Sequence, residues 1–172
     1  MRIELSECTI RPWRLEDAPS LMAHGNNRNV WLKLRDRMPH PYTLEDAEIY
    51  VRERVENPDK LMFCIEVEGE AVGGIGLHPG QDVNRLTAEL GYWLGEAYWG
   101  RGIATAAVRA VVRHGFDTLP LNRIEAYVYA NNPASARVLE KTGFEYEGRL
   151  RRSVIKDGQV LDSLLYARLR EV

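Results

Sequence analysis

The pattern of apolar and polar positions along the 172-residue chain predicts strands and helices in a mixed order. Runs rich in β-branched and aromatic residues predict strands at 4–13, 62–68, 71–78, 87–94 and 123–129, and a final hairpin of 145–154 with 160–168. Apolar residues at helical spacing predict helices at 15–27, from 44 onwards, at 102–119 and at 132–143. The resulting order, β-α-α-β-β-β-α-β-α-β-β, predicts an α/β or α+β fold.

Residues at the predicted helix ends support these boundaries. Thr43 followed by Asp46 forms a capping pattern, in which each side chain accepts from the other residue's backbone N–H. Asn132 is a favoured N-cap and Pro133 a favoured first helical residue, while Gly143 suits the left-handed position just past a helix end. We therefore expect one helix to begin after Thr43 and another to lie between Asn132 and Gly143.

The composition narrows the class of protein. Hydrophobic residues make up 45% and charged residues 28%, which is typical of a globular chain, and the length suits a single domain over 1–172. The formal net charge of -2 shows no basic excess, so we expect no nucleic-acid partner. No apolar run approaches the ~20 residues needed to span a bilayer, and the first residues lack the apolar segment of a secretory signal. We therefore expect a cytoplasmic protein with no membrane partner.

Neither the cysteines nor the histidines indicate a metal site or a disulfide framework. Cys8 and Cys64 lack the paired spacing of a zinc site, and the four histidines share no ligand spacing. We expect both thiols to be reduced and buried, and we expect no metal cofactor.

The loop between strand 87–94 and the next helix carries the most informative chemistry. Its residues are Trp99, Gly100, Arg101, Gly102, Ile103 and Ala104. Small side chains let another molecule approach the backbone, and successive amides at a helix N-terminus attract anions, so a pyrophosphate would fit here. A tight structural turn would explain the same glycines. The loop has neither the GxxxxGK(S/T) pattern of a Walker A loop nor the GxGxxG pattern of a dinucleotide site.

Together with a second block, this loop resembles that of the GCN5-related N-acetyltransferase (GNAT) family. That family's pyrophosphate loop is written (Q/R)xxGx(G/A); Gly102 and Ala104 match it, and Trp99 departs from it at the first position. The second block, NNPASARVLEKTGFEYEG at 131–148, resembles the subgroup of ribosomal-protein N-terminal acetyltransferases called RimJ and RimL, and the likeness extends over 9–169. It implies a mixed, mostly antiparallel central sheet flanked by helices, with acetyl-CoA as the co-substrate.

The resemblance also implies three groups of cofactor contacts: strand backbone for the pantetheine arm, the loop for the pyrophosphate, and the start of the last helix near the sulfur. The residues concerned are Tyr92, Trp93, Leu94, Trp99, Gly100, Arg101, Gly102, Ile103, Ala104, Thr105, Asn132, Ser135, Arg137 and Lys141. The cations among them can meet the 3′-phosphate of coenzyme A, although each also suits a solvated helix face. Asn132 also suits a plain N-cap.

The resemblance assigns catalysis to two residues. Glu89 occupies a strand position similar to that of the general-base glutamate of some family members, and strand alternation puts it on one face with Gly91 and Trp93. A buried ion pair or polar anchor is the alternative role for its carboxylate. Ser135 is the candidate donor to the leaving thiolate, because the position where some relatives carry a tyrosine is Leu139 here.

The variable region between the first strand and the first hairpin is the expected acceptor site. Asn29, Trp31 and Tyr42 supply an aromatic and polar mixture that suits a peptide or small amine, and Trp31 would serve equally well in a core. An α-amine, with a pKa near ~7.7–8.0, needs little help from a base. We therefore predict acetyl transfer to a primary amine, the α-amine of a protein or peptide, by direct attack in a ternary complex.

Two other functions are compatible with the same residues. One is acetylation of a small amine, such as a polyamine, an amino acid or an antibiotic; the other is a regulatory module that binds acyl-CoA without turnover. Release of coenzyme A with and without amines separates catalysis from binding alone. A monomer and a homodimer both fit the sequence.

Overall fold

A mixed β-sheet is the framework of the computed structural model, which describes residues 1–57 and 61–171. Its strands are β1 (Ile3–Glu4), β2 (Thr9–Arg11), β3 (Met62–Val67), β4 (Glu70–Pro79), β5 (Thr87–Leu94), β6 (Arg123–Tyr129), β7 (Glu145–Lys156) and β8 (Gln159–Leu169). Its helices are α1 (Ala18–Gly25), α2 (Arg28–Trp31), α3 (Leu44–Glu56), α4 (Ile103–Thr118) and α5 (Pro133–Lys141).

The strand order confirms the expected sheet. Within the described residues, the eight strands are hydrogen-bonded in the order β1-β2-β3-β4-β5-β6-β8-β7. The β5–β6 pair is parallel, whereas β1–β2, β2–β3, β3–β4, β6–β8 and β7–β8 are antiparallel. The sheet is therefore mixed and mostly antiparallel.

The start of the chain differs from the prediction of one strand over 4–13. Two short strands, β1 and β2, occupy this segment and pair antiparallel, with Ile3 opposite Ile10. The backbone N–H of Leu5 donates to the Cys8 carbonyl (2.9 Å) and closes the turn between them. The exposed polar residue Glu7 lies in this turn, where it interrupts the apolar pattern of a single strand.

The next segment also departs from the sequence pattern. The predicted helix 15–27 begins as a 3₁₀ turn, Leu15–Asp17, and continues as α1. The four-residue helix α2 is too short to show an apolar period, and the sequence does not predict it. Its first turn is stabilised by the Asn27 side chain, which accepts from the backbone N–H groups of Asn29 (2.8 Å) and Val30 (3.2 Å).

The helix ends that carry local signals are confirmed. The Asp46 backbone N–H donates to the Thr43 hydroxyl (3.2 Å), and the Asp46 carboxylate accepts from the Thr43 N–H (2.9 Å). Asn132 caps α5, which begins at Pro133 and is followed by Gly143 at a φ of 82°. In each case the residues that make the contact are within a few positions of one another, so the sequence alone determines the helix end.

The chain divides into two compact units. The first consists of Met1–Gly76 with Tyr92–Ala107, and the second of Leu77–Gly91 with Val108–Val172. The core of the first unit contains Trp13, Ala18, Leu21, Tyr42, Ala47, Val51, Cys64 and Ala71.

That 1–172 is a single domain stays a prediction. The segment 58–60 and residue 172 lie outside the described residues. No helix in the described part of the chain is long and apolar enough to cross a membrane.

A buried ion network joins three elements of the first unit. Arg11 on β2 is only 2% exposed. Its two terminal nitrogens donate to the two carboxylate oxygens of Asp17 (2.7 and 2.8 Å), and its Nε donates to the carboxylate of Glu66 on β3. Two carboxylates thus compensate one buried guanidinium, and each charge in the network has an opposite charge beside it.

Removing the cation of this network should destabilise the fold. Arg11→Met should lower the free energy of unfolding by about 3–5 kcal/mol, because it leaves the buried Asp17 and the half-buried Glu66 without their cation. Arg2→Met is the matched control, since Arg2 makes an exposed ion pair with Glu4 (3.3 Å) that should contribute at most about 1 kcal/mol. Urea denaturation measures both changes, and equal losses in the two variants would contradict a structural role for the network.

Candidate functional site

Strand β5 pairs with β6 over its first three residues. Their parallel pairing runs from Thr87 to Glu89, with Glu89 opposite Glu125, and ends there. Glu89 is half-buried. Burial and the nearby carboxylates of Glu125 and Glu89 raise the pKa of Tyr127. A Cβ added at Gly91 would meet only the His78 ring, at 3.8 Å, so the strand leaves room beside its backbone just after Glu89.

The last residues of β5 belong to the first unit and pack closely against β4. Tyr92 and Trp93 are half-buried and Leu94 is buried. A Cβ at Gly73 would clash with the Trp93 carbonyl, and one at Gly74 would lie 2.9 Å from the Trp93 indole nitrogen. The indole of Trp93 therefore occupies space that only glycine on β4 leaves open.

Two left-handed glycines shape the loop that leads into α4. The values of φ are 74° at Gly100 and 80° at Gly102, a region that L-residues rarely adopt. A Cβ at either position would meet nothing within 4 Å, so both glycines serve the backbone conformation and leave the approach to it open. Ile103, 2% exposed, fixes the first turn of α4 in the core, and the Ala106 N–H donates to the Gly102 carbonyl (3.0 Å). The preceding N–H groups of α4 have no acceptor within the helix and suit an anion.

Trp99, which departs from the family pattern, has a structural role in this loop. Its indole N–H donates to the Leu94 carbonyl (2.8 Å), so it closes the turn between β5 and α4. The side chain remains 43% exposed. Gly95 lies in the same turn, and its N–H donates to the Val72 carbonyl on β4 (2.8 Å).

A carboxylate on β4 holds the same turn from a second side. Glu70 accepts from the Tyr98 hydroxyl (3.2 Å) and from Ser20 (3.3 Å), and its other contact is the His24 ring nitrogen (2.9 Å). The hydrogen bond with His24 is the main cause that lowers the pKa of Glu70. The Arg101 guanidinium lies 5.1 Å from the centre of the Tyr98 ring, so the network reaches the loop itself.

The predicted acceptor residues do not share one environment. Asn29 is exposed on α2, and its amide donates to the Glu96 carboxylate (2.8 Å). Trp31 is half-buried and stacks on His40, with ring centres 5.5 Å apart. Tyr42 does not lie on the surface where an acceptor residue was expected. It is 3% exposed and lies in the core of the first unit. An aromatic residue in a variable segment can pack in a core as readily as it can line a binding site, and the Tyr42 side chain packs in the core.

Helix α5, in the second unit, carries the remaining predicted residues. Asn132 caps it by accepting from the Ser135 N–H (3.4 Å), and Ser135 is half-buried. Arg137 and Lys141 are exposed, which is compatible with both a phosphate contact and a solvated face. The cofactor roles of these residues stay predictions.

The cysteines are poor nucleophiles in this structure. Both are free and buried. Burial raises the pKa of the Cys8 thiol to about 11 and that of Cys64 to about 12, so neither forms a thiolate readily at neutral pH. In the described ranges, no group of three or more histidine, cysteine, aspartate or glutamate side chains is placed to hold a metal ion.

Comparisons with known proteins agree with this geometry. A family model described as Acetyltransferase (GNAT) domain matches residues 7–145. The Bacillus subtilis protein named Probable N-acetyltransferase YjcK is 35% identical over 156 residues, which cover 87% of this chain and 86% of that protein. The Escherichia coli ribosomal-protein-serine acetyltransferase is 35% identical over 108 residues, covering 63% and 60% of the two chains. The solved structure of Mycobacterium smegmatis RimJ in complex with CoA-disulfide superposes with a TM-score of 0.83 at 29% identity, covering 98% of this chain and 86% of that one.

The Glu70 network predicts a specific pH dependence of stability. Because the folded-state pKa of Glu70 lies below its ordinary 4.5, the carboxylate's contribution is complete above that value and is lost as the pH falls through the folded pKa. Glu70→Gln should therefore lower the Tm at pH 6, and its difference from the native protein should close below pH ~4.5. Glu48→Gln, which changes an exposed carboxylate on α3, is the control. A Glu70→Gln deficit that stayed constant with pH would show that the charge makes no contribution.

Proposed function

Because the chain belongs to the GNAT acetyltransferase family, we propose that it transfers an acetyl group from acetyl-CoA to a primary amine, the α-amine of a protein or peptide. The observation that carries this proposal is the loop at Gly100 and Gly102, which turns β5 into α4 with an open approach to the backbone. The name of the Escherichia coli relative, a ribosomal-protein-serine acetyltransferase, supports a protein acceptor.

The pyrophosphate of the co-substrate is assigned to the first turn of α4. Its N–H groups, from Gly102 to Thr105, have no intrahelical acceptor, and the positive end of the helix dipole favours an anion there. The absence of a side chain at Gly102 leaves the amides accessible. The backbone of Tyr92 to Leu94, at the end of β5, is assigned to the pantetheine arm. The CoA-disulfide in the RimJ complex supports this choice of co-substrate.

The reaction is proposed as a direct transfer. The amine nitrogen attacks the thioester carbonyl carbon, the carbon–sulfur bond breaks, and coenzyme A leaves as a thiolate, which is a tolerable leaving group because thiols have a pKa of ~8.5. Glu89 takes the amine proton through a water, and Ser135 hydrogen-bonds the thiolate. The high thiol pKa values of Cys8 and Cys64 support an enzyme that forms no covalent acetyl-cysteine.

A panel of amines tests the proposed function. Thiol release from acetyl-CoA is measured with a peptide of free N-terminus, with the same peptide N-terminally blocked but carrying a lysine, with a polyamine and with a free amino acid. We expect turnover with the free N-terminus, confirmed by a mass increase on its α-amine. Turnover with the polyamine or the amino acid, and none with the peptide, would show that the acceptor is a small amine and not a protein. Binding of acetyl-CoA without turnover on any amine would contradict catalysis.

The cofactor loop yields a matched pair of variants. Gly102→Val should weaken acetyl-CoA binding by about 10- to 100-fold, since hydrogen bonds to a charged group contribute about 1.5–3 kcal/mol and the new side chain covers the amides. Gly158→Val is the control, because Gly158 has a φ of 73° and equally open surroundings in the β7–β8 turn. Both variants place a valine at a positive φ and so carry the same backbone strain. A difference between their acetyl-CoA affinities, measured by titration calorimetry, therefore reports the loss of binding at the loop. Equal affinities in the two folded variants would remove the pyrophosphate from this loop.

The proposed role of Glu89 is tested through the pH profile. Glu89→Gln keeps size and hydrogen bonding but loses proton acceptance, so kcat/KM should fall about 100-fold at neutral pH. The deficit should shrink as the pH rises, because help from a base matters most while the amine is protonated. Thermal stability is recorded alongside. A folded variant with the native rate and profile would leave solvent to take the proton, and a deficit that persists at all pH values with lower stability would identify a structural anchor.

A further inference from the structure

The carboxylate of Glu96 joins two segments that are far apart in the sequence. Glu96 lies in the 3₁₀ turn Glu96–Tyr98, which follows β5 and leads into the cofactor loop. One of its oxygens accepts from the Asn27 amide (2.7 Å) and the other from the Asn29 amide (2.8 Å). Bonds to an ionised acceptor are stronger than those between neutral groups, so this pair fixes the two amides to one carboxylate.

The same two asparagines determine where α2 lies. The carbonyl oxygen of the Asn27 side chain caps α2 by accepting from the N–H groups of Asn29 and Val30, while its amide donates to Glu96. A helix of four residues has no stability of its own, so its cap and its tertiary contacts decide its position. The buried side chain of Val30 anchors it on one side, and Glu96 fixes it on the other.

Helix α2 ends at Trp31, one of the residues expected to contact the acceptor. Trp31 stacks on His40, and the Arg28 guanidinium lies 5.7 Å from its ring. This surface belongs to the same compact unit as the cofactor loop, and the Glu96 carboxylate links it to the turn three residues before Trp99. A displacement of α2 would therefore move the acceptor surface relative to the loop.

We infer that Glu96 is a positioning residue, which holds α2 so that the acceptor amine is presented to the thioester. The inference rests on the proposed function and deepens it, since it identifies what aligns the two substrates. It follows that loss of the Glu96 carboxylate impairs use of the acceptor and leaves acetyl-CoA binding in place, because the carboxylate bonds to Asn27 and Asn29 and not to the loop amides. A misplacement of about 1 Å can lower a rate about 100-fold even when no catalytic group has changed.

The test compares Glu96→Ala and Glu96→Gln with the native protein. We expect kcat/KM for a peptide acceptor to fall about 10- to 100-fold in Glu96→Ala, and less in Glu96→Gln, which keeps one acceptor oxygen. The Kd of acetyl-CoA, measured without acceptor, should change less than about twofold. Glu48→Gln is the control for loss of an exposed carboxylate elsewhere in the unit, and it should retain native kinetics.

A double-mutant cycle identifies the contact responsible. If Asn29 and Glu96 act together, Asn29→Ala combined with Glu96→Ala should cost little more than Glu96→Ala alone. Hydrogen exchange at the Asn29 and Val30 amides, which needs no turnover, should become faster in Glu96→Ala. Native kinetics, or an equal loss of acetyl-CoA affinity, in a folded Glu96→Ala protein would overturn this inference alone. A native protein that acetylates no amine would instead contradict the proposed function.

Discussion

The left-handed backbone at Gly100 and Gly102 is the constraint on which the proposed active site depends. An L-residue in this conformation costs about 1–2 kcal/mol, and glycine adopts it without that penalty. The two residues lie just before α4 and leave the approach to its first N–H groups open. The buried side chain of Ile103 then fixes the helix start in the core, so the same few residues provide both the opening and its rigidity.

The turn before these glycines is held by contacts from several elements of the first unit. The Gly95 N–H bonds to Val72 on β4, and the Trp99 indole bonds to Leu94 on β5. Tyr98 donates to Glu70, and Glu96 accepts from α2 through Asn29. A site that must hold a pyrophosphate and present an amine needs donors that do not move during the reaction. These contacts supply that rigidity from β4, from β5 and from α2.

The sequence predicts those parts of the fold that depend on neighbouring residues. The cap of α3 needs only Thr43 and Asp46, and the ends of α5 need Asn132 and Gly143, so their prediction is confirmed. The sequence predicts the loop before α4 for the same reason, since two glycines just before a helix form a local pattern.

The contacts that the sequence does not reveal are long-range. Arg11 meets Glu66 55 positions away, and Asn29 meets Glu96 67 positions away, so no local spacing marks either pair. Tyr42 is a residue whose type alone is misleading. Its aromatic character suits a binding surface, and only the packed structure places it in the core.

Backbone amide NMR of the isotopically labelled protein tests the central claim most directly. Acetyl-CoA is added in steps, and the resonances of Arg101 to Thr105 are followed together with those of the β7–β8 turn at Gly158. The account predicts saturable shifts, largest at Gly102 to Thr105, because the pyrophosphate accepts from these N–H groups, and unchanged resonances at Gly158. Saturable binding that leaves the Gly102 to Thr105 amides unshifted would contradict the assignment of this loop as the cofactor site.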